Sequence, residues 1–205
     1  MPALFQAMGR REETFELFLV AHSMGAIAFN EGMETLRSVM DESNGKVVVN
    51  RVVYMAPACS VGEAAESLVP LLKESETTQF YLLTLHPVAE ADEINLYDAV
   101  PRGSLLEWID HYYTNPATHT ELVFGKWSNA VPALNLFAEV RRQVHFKAFS
   151  VGPDSVPVAH GQFHSIPFWR DEALSTTGEM NYPADWLEDV CSSCLEGGGS
   201  TYSPW

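Results

Sequence analysis

The chain reads as an α/β fold, a mostly parallel sheet flanked by helices. Two observations predict it. Apolar, β-branched runs recur at residues 15–20, 46–55, 80–85 and 144–151, and helix-patterned stretches lie between the first three. Strands alternating with helices over this length build a parallel sheet, because each crossover between parallel strands needs a helix-sized connection.

Each element follows from its residue types. Residues 15–20 (FELFLV) are nearly continuous in apolar character, as expected of a strand covered on both faces. Residues 24–40 place Ile27, Ala28, Leu36 and Met40 at helical spacing. Asn44-Gly45 signals a turn into a second strand, 46–55, which ends at Ala56-Pro57. Ser60 and Glu63 form a capping-box pattern that opens a helix over 61–72, which Pro70 should end or bend. Residues 80–85 form the third strand. A short helix is expected over 105–113, stopped by Asn115-Pro116, and another over 134–140. The alternating VHFKAFSV makes 144–151 a fourth strand, and a last helix starts over 166–174. Residues 1–190 are read as one domain with a lid or cap insertion over about 94–140. Residues 191–205, rich in Gly and Ser, are read as a flexible tail.

Composition excludes some classes of function. The 205 residues are 46% hydrophobic and 19% charged, ordinary for a globular domain. The formal net charge of −15 argues against binding nucleic acid or an anionic membrane surface. Three cysteines, Cys59, Cys191 and Cys194, do not make a disulfide framework. Cys191-Ser-Ser-Cys194 lacks the second ligand pair a zinc site needs. No run approaches the ~20 apolar residues of a membrane span, and the N-terminal residues lack the apolar centre of a secretory signal. The expectation is a cytoplasmic protein with no cofactor or metal.

The segment Ala21-His22-Ser23-Met24-Gly25 carries the chemistry. An apolar strand enters it and a helix leaves it, the layout that exposes a serine hydroxyl on a tight turn, or nucleophile elbow. Such a turn strains the backbone at the serine, so positions two before and two after must be small, as Ala21 and Gly25 are. The helix that follows aims its positive end at Ser23, and the Met24 N–H becomes a candidate oxyanion-hole donor. In parallel sheets functional side chains gather beyond the carboxyl ends of the strands. Beyond residue 85 lies His86-Pro87-Val88-Ala89-Glu90-Ala91-Asp92-Glu93. Beyond residue 151 lies a loop with His160-Gly161-Gln162-Phe163-His164. A serine needs an imidazole to take its proton, and the imidazole needs a carboxylate to fix its tautomer.

The order Ser…acid…His, with the elbow AHSMG and the segments LLTLHPVAEADE and AHGQF, resembles the α/β-hydrolase superfamily in its esterase/lipase-like serine hydrolases. The resemblance implies Ser23 as nucleophile, His160 as base with His164 second, and Glu90 as acid, with Asp92 and Glu93 still open. Pro87 and Glu90 stand where that family often has Gly and Asp. His22 is read as structural, packing under the turn, and His86 as a supporting residue at its strand end. The aromatic residues Trp108, Tyr112, Tyr113 and Trp127 fall where family members insert a lid, and core packing is the competing reading.

The resemblance spans residues 15 to 175, the C-terminal portion of that fold. The strands that precede the elbow there, and the loop with the second oxyanion donor, have no counterpart. The elbow strand is therefore expected at an open sheet edge, where another copy can pair. Activity is expected to be weak or absent for this chain alone. The implied function is hydrolysis of a small-molecule carboxylic ester through an acyl-enzyme. The alternative is a non-catalytic remnant or interaction domain, and a metal-dependent hydrolase using His160 and His164 is a weaker third reading.

Overall fold

A computed structural model describes residues 2–11, 13–93, 102–149 and 157–165. Its centre is a four-stranded, all-parallel sheet in the order β1-β2-β3-β4: β1 is Phe15–His22, β2 Val47–Met55, β3 Gln79–Leu85 and β4 Val144–Phe149. Helices α1 (Pro2–Gly9), α2 (Gly25–Glu42) and α3 (Val61–Glu74) accompany the first strands. Between β3 and β4 come α4 (Pro87–Asp92), α5 (Leu105–Trp108) continuing into a π-helical turn (Ile109–Tyr113), α6 (Trp127–Ala133) and a 3-10 stretch (Leu134–Gln143). A last 3-10 turn spans His160–Ser165.

The α/β class and the four strands thus match the sequence pattern. The last helix expected over 166–174, the tail with Cys191 and Cys194, and the lid's beginning at 94–101 lie outside the described residues. No helix among the described residues is long and apolar enough to cross a membrane.

Alternation along the strands divides the core in two. Val52, Tyr54, Phe80, Leu82 and Phe146 face a main core completed by Met33 and Leu36 of α2, Leu68 and Leu71 of α3, and Phe124, Trp127 and Phe137. Phe80, Phe124 and Phe137 stack with centroids 5.8–6.3 Å apart, and Phe146 meets them edge-on. Val53, Met55, Leu83, Leu85 and Phe149 point the other way, onto Leu106, Val123 and Phe163. Of the four aromatics considered for a lid, Trp127 is therefore core, whereas Tyr112 is exposed.

Two local details differ from the sequence pattern: Pro70 does not end its helix, and the first strand is less covered than its apolar run suggests. Helix α3 runs through Pro70 to Glu74. Its capping box is formed, with Ser60 Oγ accepting from the Glu63 N–H and Glu63 Oε2 accepting from the Ser60 N–H. Leu68, Leu71 and Leu72 on both sides of the proline are fully buried, so packing outweighs the one backbone bond that proline removes. Strand β1 is only partly buried, with Phe18 49% exposed. Its faces are therefore not both fully covered, while its pairing with β2 alone among the described residues is the open edge expected of the elbow strand.

Candidate active site

Ser23 follows β1 directly and precedes the first turn of α2. Its φ of 53° is one of three positive values at non-glycine residues among those described. Such a conformation costs about 1–3 kcal/mol and persists only where neighbours over-determine it. They do so here. The Ser23 N–H donates to Met55 O at 3.0 Å, and Ser23 O accepts from the N–H groups of Ala58 (3.0 Å) and Ala26 (3.2 Å). The turn is thus bolted to the end of β2. There Ala56 also takes a positive φ, and its N–H donates to Leu83 O.

The steric demand around the turn is milder than the motif suggests. A Cβ added at Gly25 would lie 3.9 Å from the Cβ of buried Ala21, an ordinary contact. Small size at positions 21 and 25 is therefore a mutual condition. Met24 is exposed, and its N–H has no acceptor among the described residues, as an oxyanion donor requires.

His160 and Ser23 meet. His160 Nε2 lies 2.9 Å from Ser23 Oγ, across 137 residues of sequence. For His160 to act as a base, Ser23 O–H must donate and Nε2 accept, which leaves the proton on Nδ1. That Nδ1 is buried and has no hydrogen-bond partner among the described residues. Burial, and secondarily the nearby His22, press the His160 pKa down to about 4, so the imidazole is neutral near pH 7, the form a base needs.

The carboxylates divide differently from the first expectation. Glu90, in α4, is buried, and its Oε1 accepts from Ser104 Oγ at 3.0 Å, with no hydrogen bond to His160. Its backbone O also accepts from the Ser104 N–H. Burial, above all, pushes the Glu90 carboxyl up to about 8, so it is mostly protonated near neutrality. Glu93, at the end of α4, is the carboxylate that reaches the histidine. Its Oε2 accepts from the His160 backbone N–H at 3.0 Å. Burial holds Glu93 above the usual carboxylate range, and the bond from His160 pulls the other way. The hydrogen bonds of the pair among the described residues do not include Asp92. The side chain of His164 lies outside the described set.

Two residues that looked merely supportive have specific places. His86 caps α4, its Nδ1 accepting from the Val88 N–H at 3.2 Å. His22 Nε2–H donates to His160 O at 3.0 Å. Ser104 was not legible as a site residue: its partner lies 14 positions away, in a different helix.

Further out, Lys126 is buried between Glu107 (3.0 Å) and Asp110 (3.3 Å). Asp110 also accepts from the Val123 N–H and from Asn129 Nδ2. This network ties the 105–113 segment to α6. Among the described residues no group of three His, Cys, Asp or Glu side chains could hold a metal ion.

The chain matches no protein-family model, no curated protein and no solved structure. The functional reading therefore rests on the geometry alone.

Proposed function

We propose that this chain is a serine hydrolase that cleaves a carboxylic ester through an acyl-enzyme. The observation that carries the reading is the Ser23 Oγ to His160 Nε2 distance of 2.9 Å at a serine with φ of 53°. A hydroxyl on a strained turn, within hydrogen-bond reach of a neutral imidazole, is the arrangement that makes serine a nucleophile.

In the first step Ser23 Oγ attacks the ester carbonyl carbon and its proton passes to His160 Nε2. The oxyanion that forms is received by the Met24 N–H, at the positive end of α2. His160 then gives the proton to the departing alkoxide, which leaves as an alcohol. Water, activated by the same imidazole, releases the acid and regenerates Ser23.

The imidazolium that forms in between needs a negative charge at Nδ1. Glu93 is better suited than Glu90, since it is already bonded to the His160 backbone, whereas burial keeps Glu90 mostly neutral near pH 7. The His160 Nδ1–H is otherwise an unsatisfied buried donor, which costs about 1–3 kcal/mol, and the role of stabilising its charge falls to Glu93 in this reading. The substrate is a neutral or cationic small-molecule ester, consistent with the net charge of −15. The protein is read as cytoplasmic, and self-association through the β1 edge belongs to the same reading.

The alternative, a non-catalytic domain that keeps the sheet, is favoured by the lack of a partner at His160 Nδ1 among the described residues. Labelling by a fluorophosphonate probe separates the two. The wild type should be labelled, and Ser23→Ala and His160→Ala should not. An unlabelled wild type with a folded circular dichroism spectrum would leave the non-catalytic domain as the better account.

A further inference from the structure

We infer that His22 is a positioning residue for this site, one that holds the backbone of His160 in place from below the elbow; the inference rests on the hydrolase reading. The His160 main chain is gripped at both of its polar groups. Its N–H donates to Glu93 Oε2 at 3.0 Å, and its carbonyl accepts from His22 Nε2–H at 3.0 Å. With both ends of the residue pinned, its Cα is held where the imidazole reaches Ser23 Oγ at 2.9 Å.

The grip matters because of where His160 sits in the chain. Ser23 directly follows the first strand, and His160 comes after the fourth. Strands about 4.8 Å apart put β1 and β4 roughly 14 Å from each other across the sheet. His160 nevertheless lies against Ser23 and not beside the end of β4. Loop placement alone leaves such a residue loosely aimed, and an error of about 1 Å at a reacting group can cost on the order of a hundredfold in rate.

His22 is the neighbour of the nucleophile in sequence and the last residue of β1. Whatever fixes the elbow also fixes His22, so nucleophile and base are referred to one rigid strand end. The rings support the same placement. The imidazoles of His22 and His160 lie 5.1 Å apart, and Phe163 flanks His22 at 6.3 Å. A carbonyl can only accept, so Nε2 of His22 must carry its proton. In the neutral ring Nδ1 is then bare.

His22→Phe keeps an aromatic ring but removes the donor, and His22→Gln places an amide N–H near the position of Nε2. With the full chain, His22→Phe should slow fluorophosphonate labelling of Ser23 roughly ten- to a hundredfold. For a chromogenic ester the loss should fall on kcat, with KM little changed. His22→Gln should recover most of the rate. Wild-type labelling rates in His22→Phe, or a loss that His22→Gln does not relieve while both variants fold, would overturn the inference. A long-range proton–nitrogen spectrum of the wild type tests the bond without any reaction. It should report His22 as the Nε2–H tautomer, and an Nδ1–H tautomer would overturn the inference. An unlabelled wild type with the Nε2–H tautomer present would remove the hydrolase reading, and with it the positioning role.

Discussion

Burial and neighbouring charge set the protonation of His160 and Glu90, and both lead to measurable consequences. His160 is pressed down to about 4, first by burial and then by His22. An ordinary histidine loses its base form below about 6.5. The acid limb of the Ser23 labelling rate should therefore fall below pH 6.5, read as labelling rate against pH. Glu93→Gln removes the carboxylate that accepts from the His160 N–H and that is proposed to stabilise the imidazolium, so it should slow labelling roughly ten- to a hundredfold.

Glu90 works in the opposite sense. Its folded value, about 8, lies above the 4.5 of an ordinary glutamate, so the native state holds a proton that the unfolded chain releases. The stabilisation is complete below pH 4.5 and is lost as pH rises through 8. Glu90→Gln keeps the acceptor for Ser104 Oγ without that titration. Its melting temperature should exceed that of the wild type at pH 8 and match it near pH 4.5, with labelling little affected. A large loss of labelling would return the acid role to Glu90.

At the scale of elements, the strand-end loops brace one another. The elbow leans on the Ala56-Pro57-Ala58 turn, and that turn leans on Gly125. A Cβ at Gly125 would fall 2.3 Å from Pro57 O and 2.7 Å from Ala56 C, backbone atoms that cannot move aside. Gly125→Ala should therefore destabilise by about 1–3 kcal/mol, as overpacking does, and slow Ser23 labelling because Ala58 holds the Ser23 carbonyl. Chemical denaturation measures the first effect. Gly25→Ala, by contrast, meets only a 3.9 Å contact with Ala21 and should keep both stability and labelling near those of the wild type. The same contrast separates what was readable from what was not. Serine-23's turn, the capping box at Ser60 and the strand runs are signalled by residues within a few positions of one another. The need for glycine at 125 comes from a segment almost 70 positions earlier.

For the molecule as a whole, the sequential order β1-β2-β3-β4 lines up all the strand ends on one edge and leaves β1 with a single partner among the described residues. Phe18, 49% exposed on that strand, lies under Arg51 in a cation–π contact at 5.5 Å. An apolar edge strand is a template for pairing with another chain. Sedimentation at rising concentration should show self-association that Phe18→Lys weakens, and a monomer at all concentrations would remove that expectation.

Local pattern determined the α/β class, the four strands, the helix cap at Ser60 and Ser23 as the residue on the strained turn, because each depends on residues close in sequence: alternation, β-branching, a cap three residues from its partner. The same pattern pointed to His160 only through the order of loops. What tertiary structure alone decided was the pairing. It chose Glu93 over Glu90 for contact with His160, buried Glu90 against Ser104, ran α3 through Pro70, and set His22 beneath a carbonyl 138 positions away. The reason is that a hydrogen bond across loops depends on where the packed sheet sets their ends, and burial, which determines the charge of each carboxyl, exists only after the chain has folded.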